Sequence, residues 1–429
     1  MTHIAILKES DSKELRVAAT PETVKKFILR GATVTIESNA GDAASFSNEA
    51  YEAAGAIVSQ NPQKILEKAD ILLKVSAPFN SGRTKQEFHY LPKNAIVIGM
   101  LSPFAHSAKI HTMAESLLTS FSLDLLPRIS RAQSMDVLSS QSNIAGYKAA
   151  LDGMAAMNKA TPMMMTAAGT IKPAKVLVIG AGVAGLQAIA TAKRMGAIVS
   201  AFDVRSTARE QVESLGASFI EVDDKNKDDG QTSAGYAKEM DDSYKKKQAV
   251  LLQETLISHD LVITTALIPG KPAPIIITRE MVESMKQGSV IVDLAASGGG
   301  NCECTHKGAT TTYGNVTIIG NDNFPSLLAR DASELYSRNI FNFTALLLEK
   351  GNENQQSSII IPKDDDIIKQ TLVTHQGRVM LDGLPEKPVV SRKKDNIMPP
   401  PQKPSPNHKN GGRKTITAKN PPRSVTSKP

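Results

Sequence analysis

The stretch Lys175 to Asp203, KVLVIGAGVAGLQAIATAKRMGAIVSAFD, decides the fold. Its first five residues, Lys175 to Ile179, predict a buried strand. Gly180-Ala181-Gly182-Val183-Ala184-Gly185 follows as G-x-G-x-x-G, and Leu186 to Met195 predicts a helix. Ile198 to Phe202 predicts the next strand, and Asp203 ends it, 23 residues after Gly180. A glycine motif alone is weak evidence. Set between a strand and a helix, with an acid closing the second strand, it is a dinucleotide-binding fingerprint. Gly180 permits the tight turn, Gly182 lets the backbone approach a pyrophosphate, and Gly185 lets the helix lie close to the strand. The helix start offers N–H groups and partial positive charge to the phosphates. Asp203 can accept hydrogen bonds from the adenosine ribose and would repel a 2′-phosphate, which favours NAD over NADP. Arg205, two residues on, complicates that preference. Ala181, Val183 and Val204 flank these positions and belong to the same cradle.

Outward from this unit the pattern repeats. Strands are predicted at Leu261–Thr265, Val290–Leu294 and Val316–Ile319, and upstream at His3–Lys8, Thr33–Glu37, Ile71–Val75, Ala95–Met100 and Ser120–Leu126. A helix over Thr20 to Arg30 carries Thr20 as N-cap and Pro21 at its first position. The fold class is α/β: two doubly wound parallel-sheet Rossmann-like domains joined by long helices, at Ser139–Lys159 and Ser326–Lys350. Residues 1–137 with 328–380 form a discontinuous first domain, 138–327 the nucleotide-binding domain, and 381–429 a tail. Asp223 to Gln248 is polar, lacks clean periodicity and reads as a mobile loop. Met163 to Met165 reads as ordinary packing or a connector.

Composition excludes several classes. From Pro385 onward, eleven Lys/Arg face two Asp/Glu, so this tail carries +9 against a net +7 for the chain and leaves −2 for the body. The body has no basic surface suited to nucleic acid. The tail's ten prolines and scarce aliphatics predict disorder. There is no run of 18 apolar residues to cross a membrane and no signal peptide. Cys302 and Cys304 cannot form a disulfide framework. With His306 they fall short of the four ligands of a structural zinc site, so no metal is expected. The acidic run Asp364 to Asp366 reads as a surface turn or helix start.

Two further segments narrow the reading. Pro127 to Tyr147 is PRISRAQSMDVLSSQSNIAGY, and Asp293 to Cys302 is DLAASGGGNC. Together with Gly235-Tyr236 in the polar insertion, they resemble the NAD(H)-binding alpha subunit, or domain I, of proton-translocating NAD(P) transhydrogenases, over about residues 1–380. These belong to the alanine dehydrogenase/transhydrogenase family. The resemblance implies hydride transfer between NAD(H) and NADP(H), coupled to proton movement. It implies a homodimer whose NADP(H)-binding beta subunit and membrane-spanning subunit are other polypeptides. The chain itself would be cytoplasmic, peripheral on the inner face of the cell membrane through those partners. It places Arg128, Gln133 and Asp136, with Ser139 just after, near the nicotinamide, and closes a loop over the nucleotide through Tyr236. Gly235, Gln248 and Leu267 join the nucleotide-contacting set. Taken without the resemblance, Arg128 and Asp136 read as a surface salt bridge and Tyr236 as an exposed loop tyrosine.

Hydride transfer between two nicotinamides abstracts no proton, so no general acid or base is required. The protein's task is approach and orientation. The same architecture resembles alanine dehydrogenase, whose pyruvate-holding arginine and lysine correspond to Arg16 and Lys74. That reaction also needs a histidine and an aspartate. Here Gly99-Met-Leu-Ser-Pro lacks the histidine, His106 lies further on, and Ser297 stands where the aspartate would be. A non-catalytic NAD(H)-sensing module is the third reading.

Overall fold

The computed structural model describes residues 1–77, 88–222, 241–267, 272–349 and 357–385. The chain first lays down β1 (His3–Ile6), β2 (Thr33–Glu37), β3 (Ile57–Ser59), β4 (Ile71–Ser76), β5 (Ile96–Met100) and β6 (Thr119–Ser122). All pair in parallel, with β1 between β2 and β4. β4 and β5 are buried along nearly their whole length, which is why they read as unbroken aliphatic runs rather than alternating ones. The helix Pro21–Leu29 starts as expected at Thr20, whose N–H donates to the Thr23 hydroxyl at 3.0 Å.

A connecting helix, Val137–Ala156, carries the chain out of this lobe. It begins two residues before the expected start and ends three residues short of the expected end. Its small residues permit close packing. A Cβ on Gly146 would lie 2.0 Å from the Ala184 carbonyl oxygen, and one on Gly153 would lie 2.6 Å from Leu261. Gly146→Ala must therefore push two backbones apart. It is expected to cost about 1–3 kcal/mol by overpacking, read as a lower urea midpoint at unchanged slope. An unchanged midpoint would contradict the contact.

A hairpin of β7 (Met164–Thr166) and β8 (Gly169–Ile171) follows, exposed along both strands. Met165 is 76% exposed, so this methionine run does not pack inside the chain.

The second sheet contains β9 (Lys175–Ile179), β10 (Ile198–Phe202), β11 (Ser218–Ile220), β12 (Leu261–Thr264), β13 (Val290–Asp293), β14 (Thr310–Tyr313) and β15 (Val316–Ile319). Its order is β11-β10-β9-β12-β13-β15-β14, parallel except for the edge strand β14. Strand order reverses at β9 and β12, the position where doubly wound sheets open a ligand crevice at their carboxyl ends.

The chain then returns. A 3-10 turn, Phe324–Leu328, leads into a return helix, Ala329–Thr344, which is shorter than the expected 326–350. After the short pair β16 (Leu348–Glu349) and β17 (Ser358–Ile359), β18 (Leu372–His375) and β19 (Arg378–Val379) join the first sheet antiparallel beside β6. The first sheet is thus eight-stranded, β19-β18-β6-β5-β4-β1-β2-β3.

The expected mobile loop, about 223–248, needs correction at its far end. From Asp242 the chain is helical to Leu256, with Asp241 accepting from the Tyr244 N–H at 2.7 Å as N-cap. Tyr244, Leu252 and Leu256 bury one face of that helix, while the lysines between them hide the periodicity in the sequence. Residues 223–240, with Gly235 and Tyr236, lie outside the described residues.

Candidate nucleotide site

The glycine turn sits at the carboxyl end of β9, at the reversal of strand order. The helix it opens is Val183–Arg194, three residues earlier than expected, so Gly185 lies inside its first turn. The three glycines answer three different constraints. Gly180 has φ +96°, a conformation that side-chain-bearing residues rarely adopt. A Cβ on Gly185 would lie 1.8 Å from the Gly180 carbonyl oxygen. Gly182 has an ordinary φ of −78°, and a Cβ there would meet no heavy atom of the described residues within 4 Å. Neither backbone strain nor internal packing explains the glycine at 182. It keeps open the space before the helix N-terminus, where N–H groups lack intrahelical partners. A pyrophosphate fits that cradle.

Asp203 is 7% exposed and stands at the end of β10. Its Oδ2 accepts from the Ala181 N–H at 2.7 Å and from Arg205 Nη2 at 2.7 Å. Its Oδ1 accepts from the Arg205 backbone N–H at 2.8 Å and from Nε at 2.9 Å. The carboxylate therefore ties the glycine turn to the second strand. It also holds Arg205, whose guanidinium it raises further in pKa despite partial burial. Four acceptor positions on Asp203 are already engaged, so a ribose diol must displace the Arg205 side chain to reach it.

Sequence reasoning missed the far wall of this crevice. Thr265 Oγ1 donates to the Gly180 carbonyl at 2.9 Å and buttresses the turn. Asn301 is fully buried: its Nδ2 donates to the carbonyls of Ala266 and Pro274, and its Oδ1 accepts from the Ala266 N–H at 3.0 Å. Asp293, also fully buried, accepts from the Thr264 and Thr305 hydroxyls and from the N–H groups of Ala295, Asn301 and Cys302. The DLAASGGGNC segment thus wraps one carboxylate and fixes the strand end that carries exposed Leu267. Val183 is exposed at the helix start, Val204 packs partly buried beside β10, and Gln248 is half-buried on the Asp242–Leu256 helix. Cys302 and Cys304 are buried free thiols, and burial pushes Cys302 up to about 12. Among the described residues, no group of three or more His, Cys, Asp or Glu is placed to hold a metal.

Arg128, Gln133, Asp136 and Ser139 lie along the segment that leads into the connecting helix, and of their side chains Asp136 and Ser139 meet. Arg128 and Gln133 are exposed. Gln133 lies in a 3-10 segment, Ser130–Met135, anchored by buried Ala132 and Met135. Asp136 is the N-cap of the helix. Its carboxylate accepts from the Ser139 N–H at 2.9 Å and from the Ser139 hydroxyl at 2.5 Å. The connecting helix passes the glycine turn at Gly146 and the far end of β12 at Gly153. Its start therefore projects about 14 Å beyond Gly146, past the carboxyl edge of the second sheet.

Strand order in the first sheet reverses between β1 and β4, and the chain's own buried charges pair with one another near there. Lys74 is fully buried, with Nζ 3.3 Å from Glu9 and 3.4 Å from the Lys8 carbonyl oxygen. Arg16, 5% exposed, binds Glu14 through Nε and Nη2 at 2.7 and 2.6 Å and Gln141 through Nη1 at 2.7 Å. Burial raises the Glu14 carboxyl, and the Arg16 guanidinium more than reverses this, leaving it below the usual range. Arg16 and Lys74 therefore face internal carboxylates. His106 precedes the helix Ser107–Glu115, and Ser297 lies in a 3-10 turn.

Comparison with known proteins agrees with this architecture. Residues 5–145 match the family described as alanine dehydrogenase/PNT, N-terminal domain, and residues 149–382 match its C-terminal domain. An NAD(P) transhydrogenase subunit alpha polypeptide of Rhodospirillum rubrum is 45% identical over 377 residues, covering 88% of this chain and 97% of that protein. The crystal structure of transhydrogenase from Sinorhizobium meliloti superposes with a TM-score of 0.78 at 45% identity, covering 88% of this chain and 99% of that one. An L-alanine dehydrogenase structure shares the fold, with a TM-score of 0.72 at 23% identity, covering 89% of this chain and 98% of that one. The chain belongs to the alanine dehydrogenase/PNT family and resembles its transhydrogenase alpha-subunit members over most of its length.

Proposed function

We propose that this chain is the NAD(H)-binding component of a proton-translocating NAD(P) transhydrogenase. In this reading the NADP(H)-binding beta subunit and the membrane-spanning subunit are separate partners, and the chain works as a homodimer held at the membrane by them. Among the described residues, no helix is long and apolar enough to cross a membrane. The observation that supports the reading is that exposed Arg128 and Gln133 lead into the connecting helix, which packs at Gly146 against Ala184 of the glycine motif. A nicotinamide lying between those side chains and that motif is presented outward, toward a second molecule.

The nucleotides supply the chemistry, a hydride passed directly between two nicotinamide rings. This chain's residues bind and orient. The Val183–Arg194 helix start and Gly182 hold the pyrophosphate, and Asp203 takes the adenosine ribose once Arg205 has moved aside. Ala181, Val204 and Leu267 line the nucleotide's path. Gln133 holds the carboxamide and the approaching partner nucleotide. Arg128 fixes the nicotinamide end, while Asp136 and Ser139 set the angle at which the loop enters its helix. Gly235, Tyr236 and Gln248 complete the cover over the nucleotide. Preorganised approach of this kind contributes several kcal/mol to the barrier reduction.

The test is hydride transfer from NADPH to an NAD analogue, with the purified chain and its NADP(H)-binding partner together. Transfer is expected only in the mixture. Gln133→Asn is expected to slow transfer at least about ten-fold while NADH affinity stays within about two-fold, because the amide is withdrawn by one methylene. Near-normal transfer by this variant removes Gln133 from the machinery. Pyruvate-dependent NADH oxidation by the chain alone would favour the alanine dehydrogenase reading. The Arg16–Glu14 and Lys74–Glu9 pairs argue against that outcome.

A further inference from the structure

The acidic run Asp364 to Asp366 takes no part in the nucleotide cradle, yet its middle residue reaches the loop assigned above to the nicotinamide. Arg131, inside the Ser130–Met135 segment, makes a two-pronged ion pair with Asp365: Nη1 to Oδ2 at 2.6 Å and Nη2 to Oδ1 at 2.8 Å. Arg131 is about half exposed at 53%, whereas Asp365 is 15% exposed. Asp365 is itself held, because its Oδ1 accepts from the N–H groups of Ile367 and Ile368 as N-cap of the helix Asp366–Thr371. The hydrogen bonds to Arg131 hold its carboxyl below the usual carboxylate range. From the other side, the return helix grips the same segment. Asn339 Nδ2 and Asn342 Nδ2 both donate to the Ser134 carbonyl oxygen, at 2.9 and 3.0 Å. Asn339 Oδ1 in turn accepts from the Ser140 hydroxyl at 2.7 Å, so one amide spans the loop and the first turn of the connecting helix.

We infer that Asp365, Asn339 and Asn342 are positioning residues for hydride transfer: they clamp the backbone of the Arg128–Asp136 loop so that its exposed side chains meet the nicotinamide in a fixed register. The inference rests on the proposed role of that loop. A half-exposed ion pair adds little to global stability. What a two-pronged pair and two amide donors to one carbonyl do supply is orientation. Gln133 lies between the two anchors, one residue before Ser134 and two after Arg131. Any rocking of the segment moves it directly. All three clamping residues come from the stretch of chain that returns from the second lobe.

The test compares the full-length chain with D365N and with N342A. D365N keeps an N-cap acceptor for the last helix and removes the charge that holds Arg131. Three quantities are read: amide hydrogen exchange over residues 130–136, NADH affinity, and single-turnover hydride transfer from NADPH to acetylpyridine adenine dinucleotide with the NADP(H)-binding partner. Expected are faster exchange over 130–136, NADH affinity within about two-fold, and transfer slowed about ten-fold, the scale of a sub-ångström to 1 Å misplacement. Unchanged exchange in both variants overturns the clamp. Faster exchange with an undiminished rate overturns the positioning role. Absence of transfer by the unaltered chain with its partner indicts the proposed function itself, and the exchange data then still decide whether the clamp exists.

Discussion

Gly182→Val is expected to abolish measurable NADH binding while leaving the unfolding midpoint unchanged, and Gly185→Ala is expected to lose both. The contrast follows from where each added carbon goes. At 182 it enters space that no atom of the described residues occupies within 4 Å, and the backbone is already in an ordinary conformation. Folding has nothing to resist there, but a pyrophosphate approaching the helix start does. At 185 the new carbon would lie 1.8 Å from a backbone oxygen, so the helix must retreat from the turn. Such overpacking costs about 1–3 kcal/mol and spoils the cradle at the same time. Calorimetric titration with NADH and urea unfolding of both variants make the check. If Gly182→Val binds NADH as the unaltered chain does, the pyrophosphate is not at this helix.

Asp203→Ala is the second large effect, with NADH binding weakened by about 1–3 kcal/mol, roughly five- to 150-fold. The acceptor proposed for the ribose is gone, and the Ala181 N–H loses the carboxylate that ties the glycine turn to the second strand. Arg205→Met separates these contributions. Its guanidinium occupies both Asp203 oxygens proposed to take the ribose, so its removal is expected to keep NADH affinity within a few-fold. Equal losses in the two variants would show that the arginine, and not the acid, contacts the nucleotide.

Much of this site is legible along the chain because its components are local. The strand, turn, helix and second strand of the fingerprint span residues 175 to 203, and each imposes its own periodicity or residue type. Gly182 and Asp203 can be named from spacing alone. What cannot be read are contacts between distant segments. Arg131 meets Asp365 across 234 positions, and nothing near either residue announces the other. Thr265 reads only as the last residue of a strand, and Asn301 only as one member of a glycine-rich segment, until the two strand ends are brought side by side. The engagement of Asp203 by Arg205 is local and still hidden, because adjacency in sequence does not state which way a guanidinium turns. The helix from Asp242 is masked by lysines on its outer face, and the exposed β7–β8 hairpin carries no turn signal strong enough to distinguish it from a connector. The strands β18 and β19 are too short to register as strands before β6 offers them an edge.

The return of the chain to its first sheet also orders events during synthesis. The seven strands of the nucleotide lobe all lie between Lys175 and Ile319, so that lobe is complete once the ribosome has released them. The first sheet must wait for β18 and β19, which end at Val379, 60 residues after Ile319. At about 5–20 residues per second that is roughly 3–12 s, during which β6 presents a bare edge. The lobe that is translated first is therefore the last to close.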